Sequence, residues 1–324
     1  MADHSHPPDG GSESLLDGAV IPTDMEQPAL SRIVTESSRI ERIAGDLLFG
    51  EGPVWHSAQS TLYWVDIFDD TIWKWSALTG RSVVMRPSGR ANGMTFDNQH
   101  RRVVAGWSSR NIWRVEHDGS VSILADEVDG CKLNSPNDIV VKSDGSIWWT
   151  DPSGALFIPG MAGADVQRYR DDHPVYRWSP DGGDTAVVIS ELPYPNGLAF
   201  SPDESILYVA DTWAKAVIAY DCDKDGNLTP HGQSFYQLIG TEEGVADGMK
   251  VDVEGNVYVT GPAGIHVISP DGNLLGRLLF GHEHCTNMAW GDDDWRSLYV
   301  TTLSGLYRVR LGIPGVAVGP EVRA

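Results

Sequence analysis

The chain has 324 residues, 41% of them hydrophobic, with 35 glycines, 19 prolines and 12 tryptophans, which suffices for a large core in one all-β domain. Its formal charge of −21 excludes the basic surface that nucleic acid or an anionic membrane requires, and no apolar run approaches the roughly 20 residues of a membrane span. Three cysteines without CxxC spacing (Cys131, Cys222 and Cys285) fit a reducing, cytoplasmic setting.

Residues 1–38 are polar, rich in Gly, Pro and Asp, and lack periodicity. With no basic n-region and no apolar h-region they do not read as a signal peptide. They read as an extension, disordered or laid as a strap on the surface. His4 and His6 in it could bind metal, although a mobile tail is the simpler account. From Arg39 the pattern changes, and residues 40–44 read as a strand.

A short pattern then recurs six times: Glu51-Gly-Pro-Val-Trp, Asn92-Gly-Met-Thr-Phe, Asn137-Asp-Ile-Val-Val, Asn196-Gly-Leu-Ala-Phe, Asp247-Gly-Met-Lys-Val and Thr286-Asn-Met-Ala-Trp. Each copy opens on a polar residue, usually steps through glycine, and is apolar at its third and fifth positions. A second apolar run follows each copy, as in Leu62-Tyr-Trp-Val and Leu207-Tyr-Val-Ala. The leading residues are spaced by 41, 45, 59, 51 and 39 positions. A period of this size, built from short strands and Gly/Asp turns, predicts an all-β, six-bladed β-propeller over residues 39–312, with 313–324 as a tail. The last blade has only three strands of its own, so the strand at 39–44 is expected to complete it and remove an exposed edge. An irregular insertion at 157–173 in the third blade reads as a lid, a pocket wall or a plain surface excursion.

In a propeller the same position of every blade falls on one circle. Glu51, Asn92, Asn137, Asn196, Asp247 and Thr286 are therefore expected to form a ring of two carboxylates, three amides and a hydroxyl. Such oxygens suit a hard divalent cation. Asn-Gly and Asp-Gly are also ordinary turn residues, but turns do not demand carboxylates in two blades and amides in three others. A cation there could polarise a carbonyl while a carboxylate takes a proton from water. Glu51 precedes a rigid Gly-Pro and suits a fixed ligand, whereas Asp247 on Asp-Gly is the better base. His282 and His284, just before Thr286, either line the pocket or are polar loop histidines. No Gly-x-Ser-x-Gly, phosphate loop or HExxH occurs.

Glu51-Gly-Pro-Val-Trp, Asn134-Ser-Pro-Asn-Asp, Thr150-Asp-Pro, Pro195-Asn-Gly-Leu-Ala-Phe-Ser-Pro-Asp and Asp247-Gly-Met-Lys-Val-Asp resemble the gluconolactonase / senescence-marker-protein / luciferin-regenerating family of six-bladed propellers. The resemblance runs from about Ile40 to Leu311. It implies Glu51, Asn196 and Asp247 as ligands of a divalent metal, Ca²⁺ first, with Mg²⁺, Mn²⁺ and Zn²⁺ as alternatives. It gives Asn137 a metal or substrate contact and Asp247 the general-base role. Animal sugar lactonases of that family carry an arginine where this chain has Ser135, a place for Asn134 or Lys132 to substitute in holding substrate; Asn92 is expected to meet substrate as well. The expected partner is a small lactone, an aldonolactone such as gluconolactone. Another ester or phosphotriester on the same site, and a non-enzymatic calcium-binding or interaction propeller, are the alternative expectations.

Overall fold

The computed structural model describes residues 17–24 and 28–320. His4 and His6 lie outside the described residues. The six patterns open six antiparallel sheets around an axis. Their innermost strands are Gly50–His56, Met94–Phe96, Ile139–Val141, Pro195–Phe200, Met249–Val251 and Cys285–Gly291. The second strands, such as Thr61–Asp66 and Ile147–Thr150, are buried on both faces because blades pack against each side of them. That explains why they read as unbroken apolar runs with Tyr and Trp, while outer strands such as Gly80–Met85 are largely exposed. Trp64, Trp148 and Trp149 are fully buried between blades.

The ring closes as expected from the sequence. Ile40–Ala44 pairs with Leu306–Arg310, Ile40 opposite Val309 and Glu41 opposite Arg308, and so supplies the fourth strand of the last blade. Further upstream, Thr23–Asp24 adds a fifth strand to the blade that begins at Met249, where Asp24 pairs with Arg277. At the other terminus the chain leaves the last blade and runs across the end of the axis away from residue 51. Val253 N–H donates to the Pro314 carbonyl, Val316 N–H to that of Val251, and Val318 packs among Val54, Met94 and Phe96. The two α-helices among the described residues, Leu30–Ile33 and Gly154–Phe157, are single turns. No helix there is long and apolar enough to cross a membrane.

Ring closure predicts a specific stability loss. Ile40 is 1% exposed in the closing strand, whereas Ile123, on an outer strand, is 54% exposed. Ile40→Ala should lower the unfolding free energy by about 2–5 kcal/mol, and Ile123→Ala should change it by under about 0.5 kcal/mol. Equal denaturation midpoints for the two variants would show that the closing strand contributes little.

Candidate active site on the propeller axis

The leading residues are drawn together by contacts between neighbouring blades. Gly93 N–H donates to the Asn137 carbonyl (2.7 Å), Gly197 N–H to that of Asp247 (3.0 Å), and Gly248 N–H to that of Thr286 (2.8 Å). Thr150 Oγ1 donates to the Asn196 carbonyl at 2.6 Å, and Thr286 Oγ1 to the Gly50 carbonyl at 2.5 Å. Glycine after the leading residue is what permits this approach. A Cβ on Gly197 would lie 2.2 Å from the Asp247 carbonyl oxygen, and one on Gly52 would lie 2.0 Å from that of Asn92. Register shifts at Glu51/Val54, Pro195/Leu198 and Cys285/Asn287 mark bulges at three of the ring positions, a common device for re-aiming a side chain.

Glu51 and Asp247 are both buried. Glu51 Oε2 accepts from Gly52 N–H (2.8 Å) and from Asn287 Nδ2 (3.1 Å). Burial nevertheless raises the Glu51 pKa from 4.5 to about 7, and the Asp138 carboxylate adds to the rise. Burial also pushes the Asp247 carboxyl well above the usual range; Glu51 and Asp138 push the same way, and the hydrogen-bonded Asn196 amide pulls back. A buried acid pushed up by the charge of a second buried acid is half of a pair suited to share a proton or a cation.

The amides supply the rest of the set. Asn196 Nδ2 donates to Thr212 Oγ1 at 3.0 Å, while its Oδ1 is buried without a donor. Asn92 Oδ1 and Asn137 Oδ1 are likewise buried and unpartnered. A buried carbonyl oxygen without a donor is destabilising unless something else completes it. Three such oxygens around two carboxylates fit a hard cation or the hydroxyl groups of a ligand. Among the described residues no group of three His, Cys, Asp or Glu side chains could hold a metal.

Other expected residues sit differently. Thr286 is fully buried, and its hydroxyl closes the contact with Gly50 and meets Thr301 Oγ1 at 3.0 Å instead of facing a ligand. Asn287, one position later, takes the axial place beside Glu51. Asn134 is fully buried, with Nδ2 donating to the carbonyls of Asp151 and Asp172 (3.1 Å each) and Oδ1 unpartnered. His284 is half-buried near Glu243, burial lowers its pKa, and its carbonyl accepts from Leu303 N–H. No described contact ties its ring to Glu51 or Asp247. Cys285 is buried in the core, where its thiol pKa is pushed far up.

Three axial side chains escaped the sequence reading. Asp138 and Asn287 occupy the position that is glycine in the other four blades, and Lys250 stands where the other blades carry Val, Thr or Ala. Lys250 Nζ lies 3.7 Å from Asp138 Oδ2 and 3.5 Å from Asn287 Oδ1. With Asp138 and Lys250 included, the formal axial charge is three negatives and one positive, a net −2, which is the complement of one divalent cation. Lys250 also lines a cavity of about 400 Å³ beneath the ring, whose apolar walls include Val54, Ala199 and Val316. The ring residues are absent from that lining, so this cavity is separate from the site.

The insertion lies across the ring-side face. Its Met161 and Ala162, with Ala155 and Leu156 just before it, pack on Phe49, Ile67 and Trp107 of the first two blades. Arg110, 1% exposed, donates through Nη1 to the Asp165 carbonyl (3.0 Å), and Lys132 pairs with Asp165 Oδ2 at 2.9 Å. Ser153 Oγ and His173 Nε2, 2.5 Å apart, clasp the two ends of the segment. The insertion is therefore docked against the blades, not a free excursion.

Residues 49–304 match the SMP-30/Gluconolactonase/LRE-like region. The chain is 30% identical over 305 residues to a gluconolactonase of Zymomonas mobilis, covering 87% of this chain and 84% of that protein. It is 29% identical over 284 residues to the pentonolactonase XacC of Haloferax volcanii, covering 85% of this chain and 86% of that one. Among solved structures, the gluconolactonase XC5397 of Xanthomonas campestris superposes with a TM-score of 0.82 at 31% identity, covering 94% of this chain and 99% of its own.

The buried acids predict how stability depends on pH. A carboxyl whose folded pKa lies above its unfolded value contributes stability below the unfolded pKa that is lost as pH rises through the folded one. In chelator, melting temperature should fall as pH rises from about 4.5 to about 7 through Glu51. Glu51→Gln should flatten that part of the profile. A chelated wild-type protein with a flat profile over this window would contradict the buried-acid assignment.

Proposed function

As the chain belongs to the SMP-30/Gluconolactonase/LRE-like family and is a lactone-hydrolysing enzyme, an ester hydrolase, we propose that it opens aldonolactones such as gluconolactone with the help of a divalent cation, Ca²⁺ first. The observation that carries this reading is the set of buried, donor-less amide oxygens of Asn92, Asn137 and Asn196 around the raised-pKa pair Glu51 and Asp247.

Glu51, Asn196 and Asp247 would hold the cation, and Asn137 would touch it or the substrate. When bound, the cation supplies a Lewis acid for the lactone carbonyl, worth several kcal/mol of transition-state stabilisation. Asn287 fixes the Glu51 carboxylate through its Nδ2–H, so Glu51 stays a ligand. Asp247 is anchored by Asn196 and by its own N–H on Thr260 Oγ1 (3.0 Å). It takes the proton of the attacking water at its carboxylate. Asn92 Oδ1 accepts from a substrate hydroxyl, and the docked insertion keeps bulk water from the mouth. Asp151, raised to about 7 by burial, accepts from Asn134 and Ser135 N–H and fixes the loop that carries Asn137. The three free cysteines support a reducing, cytoplasmic setting.

A pH-stat assay on glucono-1,5-lactone and related aldonolactones tests the proposal. Chelation should abolish acid release and Ca²⁺ should restore it. Asp247→Asn should lower kcat about 10²–10⁴-fold, and Glu51→Gln should abolish the response to Ca²⁺. Full activity in chelator would end the metal-dependent reading, and acid release from no lactone would end the choice of substrate.

A further inference from the structure

Eleven of the twelve tryptophans are buried or half-buried in the blades, and Trp213 alone is exposed, at 57%. It sits in the turn joining Ile206–Asp211 to Ala216–Asp221, at the ring end of its blade. The residue before it, Thr212, accepts the Asn196 amide at 3.0 Å and donates to the Ala246 carbonyl at 2.6 Å. Buried Asp211 fastens the turn from both sides, accepting Ala214 N–H at 2.8 Å and Tyr194 N–H at 3.1 Å. One side of the indole rests on Tyr194, at a ring separation of 4.9 Å and a 33° tilt, and on His173, at 5.6 Å edge-on. His173 is itself fixed by Ser153 and by the Pro193 carbonyl. Tyr194 continues inward, feels the charge of Asp247, and has its hydroxyl so close to Gly154 that a Cβ there would lie 2.8 Å from it. An immobilised aromatic surface therefore runs outward from the base to solvent and ends on an open indole.

We propose that Trp213, backed by Tyr194 and His173, is a specificity-determining subsite that stacks on a second sugar ring carried by the lactone, so that the preferred substrate is a glycosylated aldonolactone. This rests on the lactonase reading above. The C–H face of a pyranose is apolar and flat enough to lie on an indole, while its equatorial hydroxyls stay in water at the rim. A monosaccharide lactone held at the ring leaves the outer indole uncovered, and a linked second ring reaches it. Fixing the indole before binding removes most of the ordering entropy of the contact.

The test compares kcat/KM for cellobiono-1,5-lactone and glucono-1,5-lactone. The wild-type enzyme should prefer the former, and Trp213→Ala should lower that preference roughly 10-fold through KM, the scale of a lost apolar contact. Trp213→Phe, which keeps an aromatic face and guards against misfolding of the alanine variant, should retain most of it. An unchanged ratio in Trp213→Ala, or a wild-type enzyme preferring the monosaccharide lactone, overturns the subsite. If neither lactone is hydrolysed the lactonase reading fails, and binding decides the subsite separately. Cellobionate should then quench tryptophan fluorescence saturably in the wild type and not in Trp213→Ala; no quenching in the wild type overturns it.

Discussion

Two carboxyl groups, Glu51 and Asp247, are buried facing one axis with too few donors to hold both as anions. Removing a carboxylate from water without a partner is so unfavourable that the group usually takes up a proton instead, and both acids are displaced in that direction. Amide N–H groups of Asn287 and Asn196 offset this only in part, and the amide oxygens of Asn92, Asn137 and Asn196 are buried without donors. The axial residues are thus a strained arrangement completed by positive charge. Lys250 supplies part of it, opposite Asp138, and the proposed cation supplies the remainder.

The fold makes that arrangement possible by bringing six remote segments to one point. Glycine after the leading residue lets the inner strands approach so closely that a Cβ would meet backbone. Pairing of Ile40–Ala44 with the last blade makes the circle rigid. Insertion residues are docked against the blades by Arg110, Lys132 and the Ser153–His173 contact. The tail crosses the opposite end, beside a separate apolar cavity. Chemistry and closure therefore occupy different ends of the same strands.

Much of this was legible in the sequence, because a propeller repeats and a repeat can be aligned against itself. The blade count, the closing strand and the leading positions all followed from one period. Thr286 departs from that pattern because its hydroxyl is engaged by the Gly50 carbonyl and Thr301; the polar side chain beside Glu51 in that blade is Asn287. Asp138, Asn287 and Lys250 were visible as departures from glycine or from small and apolar residues at fixed repeat positions, a signal available but not used. The partners of the insertion, by contrast, are set by contacts remote in sequence, such as Arg90 with Gly160, 70 residues apart, and no local pattern announces them. Nor does an isolated tryptophan in a turn announce its exposure.

On the proposed reading, one divalent cation completes the ring. Calorimetric titration of chelator-stripped protein with Ca²⁺ at neutral pH tests it most directly. One site per chain is expected, with proton release on binding because the raised acids must ionise, and with loss of the site in the Glu51→Gln/Asp247→Asn double variant. Absence of a binding isotherm in the wild type, or an unaltered one in the double variant, would contradict it.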